Sequence, residues 1–590
     1  MRCNSPPLRT DNYPVTRLWA RLLLALVCAV VGVVLTFKPF TSLAALVLFV
    51  AGAFVVSGIS ELVAARNAGT PALAVAAGLG WIAAGVAVVV WAGSTIHALA
   101  IVVGISMVLG GLTRVTGAIR GRVDDRVIAA LTGAASVIFG LLALSWPDKT
   151  VLILALLVGP STVIFGLGQL LAVWRQQLGR QPAVRRGRPP RWLRAAGAVA
   201  AVIFALALVA VSAAIHRSAA SPDAFYKPPS TVPERPGVLL RSERFTRGIP
   251  EDWRAWRILY TTTRDENTPA VASGLVIASD HLPAGPHPVI AWAHGTTGVA
   301  SQCAPSLLPS RWNADVIPGI DQVLGRGWVI VATDYVGLGT PGPHPYLIGQ
   351  GEARSVLDSV RAARQMPQLS LQHRTVIWGH SQGGHAALWA GILAPSYAPD
   401  VNVVGVAALA PASDLHALVE EVRNTLEGRI LGAYILTAYS DIYPDVSFDH
   451  YVRPAARVLV REAADRCLDI PEAIPSVITA TLSRQPIYAV DPLSGALGRR
   501  LAQNTPTGSI KVPLLIAQGL DDPLVLPSLQ RSYVNRLCHS GQSVEYRIYR
   551  SRDHLSLIWP GSPLIPYLLA WTQARFAARP QESGCSVAQR

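Results

Sequence analysis

Ser381 stands in Gly379-His380-Ser381-Gln382-Gly383, behind the run Thr375-Val-Ile-Trp and ahead of the small-residue run His385-Ala-Ala-Leu-Trp-Ala390. A strand that turns sharply into a helix can hold a serine at its apex only if the positions two before and two after leave room, and both are glycine here. The chemistry on offer is attack by the Ser381 hydroxyl. A serine hydroxyl is a weak nucleophile and needs a general base, itself oriented by a carboxylate. On a turn of this kind the carboxylate and then the histidine come later in the chain.

Two histidines follow the apolar run Lys511-Val-Pro-Leu-Leu-Ile-Ala-Gln-Gly519. His554, in Ser551-Arg-Asp-His554-Leu, comes just after the last expected strand, where a loop can return to the serine, and is the expected base. His539 lies beside Cys538 and ahead of Gly541, which suits a helix end. For the carboxylate, Asp521 and Asp522 both follow Gly519 at a usable distance, and the residues alone do not separate them. Asp553 is placed less well, being adjacent to the base rather than across from it. A tetrahedral intermediate also needs backbone donors for its oxyanion. The N–H of Gln382 is one, and Pro288-Val-Ile-Ala-Trp-Ala-His294-Gly295-Thr296-Thr297-Gly298 offers the second, expected at the Thr296 N–H. His294 and His385 read as packed or loop-shaping side chains and Asp334 as the cap of a strand end.

These residues need a frame. Short apolar runs alternating with helical periodicity mark an α/β fold with a mostly parallel sheet. Strands are expected at 254–262, 271–278, 287–293, 328–333, 374–378, 402–409, 512–517 and 543–549, and a helix over 351–366. A mainly helical insertion over 416–508 separates two of the strands and is placed to cover a site.

The N-terminal part is different. Residues 1–216 hold 18 Lys/Arg and 5 Asp/Glu of a chain of 590 residues whose net charge is +15. A spanning helix needs about 20 apolar residues, and seven runs qualify: 18–37, 42–64, 71–92, 95–118, 126–146, 150–174 and 193–216. Seven stretches in series without a polar face argue against buried core helices. Arginines fall at 2, 9, 17 and 21, at 66, at 120, 122 and 126, and seven times within 175–194, whereas the opposite turns carry only Lys38 and Lys149. The positive-inside rule then puts the N-terminus in the cytoplasm and residues 217–590 outside it. Read so, the basic residues are a topology signal, and no nucleic-acid partner is expected. No cleavage site follows the first span, so it does not read as a signal peptide. Glu61 and Arg114 lie near span ends, as snorkelling side chains do.

Gly32, Gly85 and Gly140 open similar stretches, and Gly58, Gly111 and Gly166 follow each by 26 residues. The period is one helical hairpin, with small residues for close helix packing. Over 18–175 these hairpins resemble the HdeD-like six-span membrane proteins. The expected organisation is a membrane domain at 1–217, a Pro/Ser-rich lead-in at 218–237, and a catalytic domain at 238–590.

Residues 222–578 resemble the secretory lipase family, the lipase-A-like branch of α/β-hydrolases. The resemblance is carried by Phe225-Tyr226-Lys-Pro228-Pro229, AWAHGTTG, TDYVGLGTPGPHPYLIG at 333–349, GHSQGGHAALWA at 379–390, QGLDD at 518–522 and RDH at 552–554. It implies an α/β-hydrolase fold, hydrolysis of carboxylic esters including lipids, and Asp522 as the acid, three residues after glycine. It also implies the pairs Cys303–Cys467 and Cys538–Cys585, four cysteines in the half assigned to a compartment that permits disulfides; Cys3 and Cys28 are left free. His380 stands where the family commonly has an aromatic residue, and secreted members lack the membrane part. No metal-ligand spacing or phosphate loop is present, and no cofactor is expected. The expectation is a membrane-anchored extracytoplasmic serine esterase or lipase, with a lipid or ester substrate and the bilayer as partners. The same serine could instead pass its acyl group to another alcohol, as an acyltransferase, or the spans could form a transporter served by the hydrolase.

Overall fold

The structure is a computed structural model that describes residues 95–119, 126–145, 191–218, 221–265, 268–308, 317–468 and 486–589, with five isolated positions ahead of them. The chain divides into two compact units, residues 1–214 and 215–590.

In the first unit, α1 (Thr95–Ile119), α2 (Arg126–Ser145) and α3 (Arg191–Ser218) fall on the fourth, fifth and seventh expected spans. Apart from the isolated positions, the other four spans and Glu61 lie outside the described residues. Helices α1 and α2 touch backbone to backbone. A Cβ on Gly111 would stand 2.6 Å from the Gly133 carbonyl oxygen, and one on Gly140 would stand 2.6 Å from that of Gly104. Two of these glycines belong to the repeat read from the sequence; Gly104 and Gly133 complete the seam. Arg114 is exposed, its Nη1 3.4 Å from Ser136 Oγ. Among the described residues no helix is long and apolar enough to cross a membrane. The described residues therefore do not establish the expected seven-span bundle, which rests on the charge pattern of the whole sequence.

The second unit is built on a ten-stranded sheet in the order β1-β2-β3-β5-β4-β6-β7-β8-β9-β10. In chain order these are Leu239–Phe245, Trp253–Thr263, Pro269–Ser279, His287–Ala293, Val329–Val336, Leu371–His380, Val403–Leu409, Leu514–Gly519, Val544–Tyr549 and Cys585–Gln589. β1, β2, β3 and β5 pair antiparallel, and from β5 outward every pairing is parallel. All eight expected strands are present; the two edges, β1 and β10, are additional. The central strands β4 to β8 are buried on both faces, which is why they read as unbroken apolar runs. Each face carries its own core, one around Val289, Ile377 and Leu388, the other around Ile290, Trp378 and Leu568.

The expected helix at 351–366 is α4 (Gly349–Ala363), and α5 (Gln382–Tyr397) follows β6. Between β7 and β8 comes the helical insertion, with α6 (Leu415–Val422), α7 (Leu426–Ile442), α8 (Arg457–Ala464) and α9 (Gly495–Gln503). Asp414 and Thr425 cap α6 and α7 by accepting the N–H groups of Ala417 and Gly428, which starts each helix cleanly. The insertion buries its own cluster, including Leu415, Tyr434, Tyr439 and Leu497. Then α10 (Pro527–His539) and α11 (Leu564–Phe576) complete the layers.

The stretch 221–237 is docked on this unit. Phe225 and Tyr226 are buried, the Tyr226 hydroxyl lies 2.9 Å from Ser306 Oγ, and the Arg257 guanidinium sits 4.2 Å over the Phe225 ring. Cys303 is bonded to Cys467 and Cys538 to Cys585.

Candidate active site

β6 delivers Ser381 to the turn with φ +57° and ψ −117°, a conformation that a residue with a side chain adopts only when its surroundings enforce it. They do so from β7: Ser381 N–H donates to the Leu409 carbonyl at 2.9 Å, and Ala412 N–H to the Ser381 carbonyl at 3.2 Å. The flanking glycines are required by contact. A Cβ on Gly379 would overlap the Gly383 carbonyl oxygen, and one on Gly383 would overlap that of Ala293, so α5 begins directly on the end of β4.

His554 returns from the loop after β9, its Nε2 2.9 Å from Ser381 Oγ and its Nδ1 2.8 Å from Asp522 Oδ2. Asp522 is buried. Its Oδ1 accepts the N–H groups of Leu524 and Val525 at 2.9 Å each, and its Oδ2 also accepts Gln518 Nε2 at 2.8 Å. Surrounded by donors, Asp522 is held as an acceptor. The proton of a neutral His554 then belongs on Nδ1, leaving Nε2 free to accept from the serine. Asp521, left open with Asp522 by the residues alone, points to solvent and only its N–H is engaged, by the Arg552 carbonyl at 3.0 Å. Asp553 caps the turn that presents His554: its carboxylate accepts Ser556 N–H at 2.7 Å and Leu555 N–H at 3.1 Å. The Ser556 contacts above all hold its pKa below the usual carboxylate range. His539 is exposed at the end of α10, its Nδ1 2.7 Å from the Asn535 carbonyl.

Gly295 and Thr296 follow β4 beside the serine; a Cβ on Gly295 would lie 3.7 Å from Ser381 Cβ. Thr296 and Gln382 both line the cleft above Ser381. His294 is buried below that loop, with Nδ1 2.6 Å from the Gly295 carbonyl, and burial lowers its pKa to about 4. Asp334 does not merely cap a strand. Buried in β5, it accepts Ser273 Oγ, Ser306 N–H and Ser306 Oγ at 2.6–2.9 Å, tying down the segment after Cys303. His385 is buried in α5, bonded to Glu352 and to the Asn504 carbonyl.

His380 has a role the sequence did not suggest. Its Nε2–H donates to the backbone carbonyl of His554 at 2.8 Å, and burial lowers its pKa to about 3. The residue before the serine thus holds the loop that carries the histidine. Glu352, His344 and Tyr346, also unassigned from the sequence, surround Gln382 and Thr296. The only hint was a carboxylate on the apolar face of an expected helix. The cleft itself is mostly apolar, walled by Trp292, Ile317, Leu418, Val422, Ile435 and Trp559. Among the described residues no group of His, Cys and carboxylates could hold a metal ion.

Residues 313–584 match the family described as secretory lipase. Residues 23–74, 76–131 and 131–210 match a short repeat of unknown function (DUF308), in the register of the glycine repeat. A protein named probable inactive lipase, from Mycobacterium tuberculosis, is 27% identical over 393 residues, covering 61% of this chain and 83% of that protein. Lipase A of Moesziomyces aphidis is 24% identical over 390 residues, covering 61% and 82%. The solved structure of Candida antarctica lipase A in its closed state superposes with a TM-score of 0.52 at 20% identity, covering 61% of this chain and 87% of that one. The second unit therefore has the α/β-hydrolase fold, and the family and sequence matches support a carboxylic ester hydrolase.

Proposed function

We propose that the second unit, similar over most of its length to secretory lipases, hydrolyses carboxylic esters with Ser381 as nucleophile, His554 as general base and acid, and Asp522 as its orienting carboxylate. The observation that carries the reading is the relay from Ser381 Oγ to His554 Nε2 at 2.9 Å and from His554 Nδ1 to Asp522 Oδ2 at 2.8 Å. Attack by Ser381 Oγ on the ester carbonyl carbon sends its proton to His554 Nε2. The oxyanion that forms turns toward the N–H groups of Gln382 and Thr296. Collapse expels the alcohol, which takes the proton back from His554, and water repeats the sequence on the acyl-enzyme. Asp522 stabilises the imidazolium in both halves without taking its proton. The apolar cleft suits the acyl chain of a lipid. One relative bears the name of an inactive lipase, but the complete relay here favours an active enzyme.

The membrane part of the proposal rests on the sequence: seven long apolar runs with few charges, a strong arginine asymmetry and a hairpin repeat with HdeD-like character. It makes residues 1–217 a multi-pass anchor in the cell membrane and puts the catalytic domain outside, beside lipid or envelope esters. Two disulfides fit that compartment.

The test is hydrolysis of p-nitrophenyl esters of graded chain length by the full chain in detergent, wild type beside Ser381→Ala. Activity should fall to background in the variant, and equal rates in the two proteins would refute the assignment. Adding an alcohol acceptor and analysing products separates hydrolysis from acyl transfer. A C-terminal alkaline phosphatase fusion, active only when exported, tests the topology.

A further inference from the structure

The motif at 333–349 carries part of the family resemblance yet supplies none of the three relay residues. Its last part, His344-Pro345-Tyr346-Leu347, reaches both residues expected to donate to the oxyanion. Tyr346 hydroxyl and Thr296 Oγ1 lie 2.9 Å apart. His344 Nε2 lies 3.0 Å from Gln382 Nε2, and because its Nδ1 faces the Val336 carbonyl at 3.0 Å, it is the neutral tautomer that accepts from the glutamine. Leu347 closes the segment at φ +54°, a left-handed conformation that a branched side chain holds only under constraint.

Glu352, wholly buried on α4, supplies that constraint. Its Oε1 accepts Leu347 N–H at 2.9 Å and Gln382 Nε2 at 2.8 Å, and its Oε2 faces His385 Nδ1 at 2.9 Å. The Leu347 carbonyl is in turn held by the Tyr439 hydroxyl of α7 at 2.9 Å. One carboxylate thus grips the side chain of the residue after the nucleophile and, through Leu347 and Tyr346, the residue that offers the other donor. Oxyanion donors act through pre-organised placement, so losing the brace loosens the transition state more than the bound ester.

We propose that Glu352 is a positioning residue that, with the 344–347 segment, fixes both oxyanion donors; this rests on the hydrolase reading above. The experiment uses the full chain in detergent, with Tyr346→Phe, which removes only the hydroxyl bonded to Thr296, and Glu352→Met, which removes both oxygens that hold Leu347, Gln382 and His385. Both should lower kcat about tenfold or more with KM changed less than twofold, and weaken binding of an alkyl boronic acid, which forms a tetrahedral adduct on the serine, by a similar factor. A purely structural role would lower thermal stability without moving kcat per titrated active site or boronate affinity. Tyr346→Phe with kcat within twofold of wild type, or both variants raising KM at constant kcat, would overturn the proposal. Glu352→Met with kcat within twofold of wild type would overturn it equally; if that variant does not fold, Gln382→Met, which removes the side chain that Glu352 grips and leaves the backbone N–H, takes its place with the same expected loss. Failure of the hydrolase reading looks different, since wild type and Ser381→Ala would then be indistinguishable.

Discussion

Replacing Asp522 by asparagine changes one atom, and the structure says which way that atom must face. The Oδ1 position accepts two backbone N–H groups, from Leu524 and Val525, each at 2.9 Å. Turning an amide nitrogen toward them would leave buried donors facing a donor, at about 1–3 kcal/mol for each group stranded. The nitrogen is therefore driven to the Oδ2 position, 2.8 Å from His554 Nδ1. Gln518 Nε2, also 2.8 Å from that position, keeps its bond to the Val525 carbonyl at 2.9 Å, so this placement strands one donor where the other strands two. An amide N–H aimed at Nδ1 makes that nitrogen the acceptor and moves the proton to Nε2, which then points a hydrogen at Ser381 instead of a lone pair. A base in the wrong tautomer costs about 10⁴-fold in kcat, as in serine proteases with the equivalent change. The assay is ester hydrolysis with active sites titrated by a fluorophosphonate, alongside thermal melting to show the fold unchanged. A variant retaining more than a tenth of wild-type kcat would refute the tautomer argument, and with it the assignment of Asp522.

Gly383→Ala places a methyl group onto the Ala293 carbonyl oxygen, so α5 must lift from β4; folded protein should drop sharply in yield or melt far lower, and a wild-type melting temperature would contradict the packing. The Cys303–Cys467 bond closes a sequence separation of 164 residues; by loop entropy its removal as a double alanine variant costs about 5 kcal/mol, at the top of the usual range, and an unchanged urea midpoint would rule that out. Burial lowers the pKa of His294 to about 4 and of His344 and His380 to about 3, against 6.5 unfolded. The unfolded chain then binds more protons below pH 6.5, so the stability these groups lend is complete above that value and drains as pH falls toward 3–4, by about 2 kcal/mol each at pH 5. Burial raises Asp358 to about 6 and also raises Asp334 and Asp441, which works in the opposite sense and offsets part of that loss as pH falls. Melting temperature should fall from pH 7 to pH 5, and a rise would reverse the sign of the argument.

Much of the site was legible because its residues are bound to local patterns. Ser381 needs glycines at fixed offsets, and His554 needs only to follow the last strand of the parallel set. The buried strands β4 to β8 announce themselves as apolar runs, whereas β1, LLRSERF, is half charged and β10, CSVAQ, is almost entirely exposed, so neither edge carries the signal. The choice between Asp521 and Asp522 depends on which carboxylate the turn after β8 points inward, a matter of backbone direction that composition does not record. Glu352 was invisible for another reason. Its partners at 347, 382 and 385 come together only when α4 packs against α5, and a lone acid on an apolar face looks like an error in the periodicity until those partners are in place. The seam between α1 and α2 was half read, because Gly104 and Gly133 fall outside the spacing that exposed the repeat.

The Cys303–Cys467 bond holds the end of α8 with its Cα 5.2 Å from that of Cys303, and Leu468 N–H donates to the Thr297 carbonyl at 2.8 Å just beyond it. The helical insertion is therefore riveted near its middle, beside the loop that carries Thr296. It cannot lift away as a single door. Any widening of the cleft has to leave this point of the roof in place, beside the loop expected to meet the carbonyl of an incoming ester.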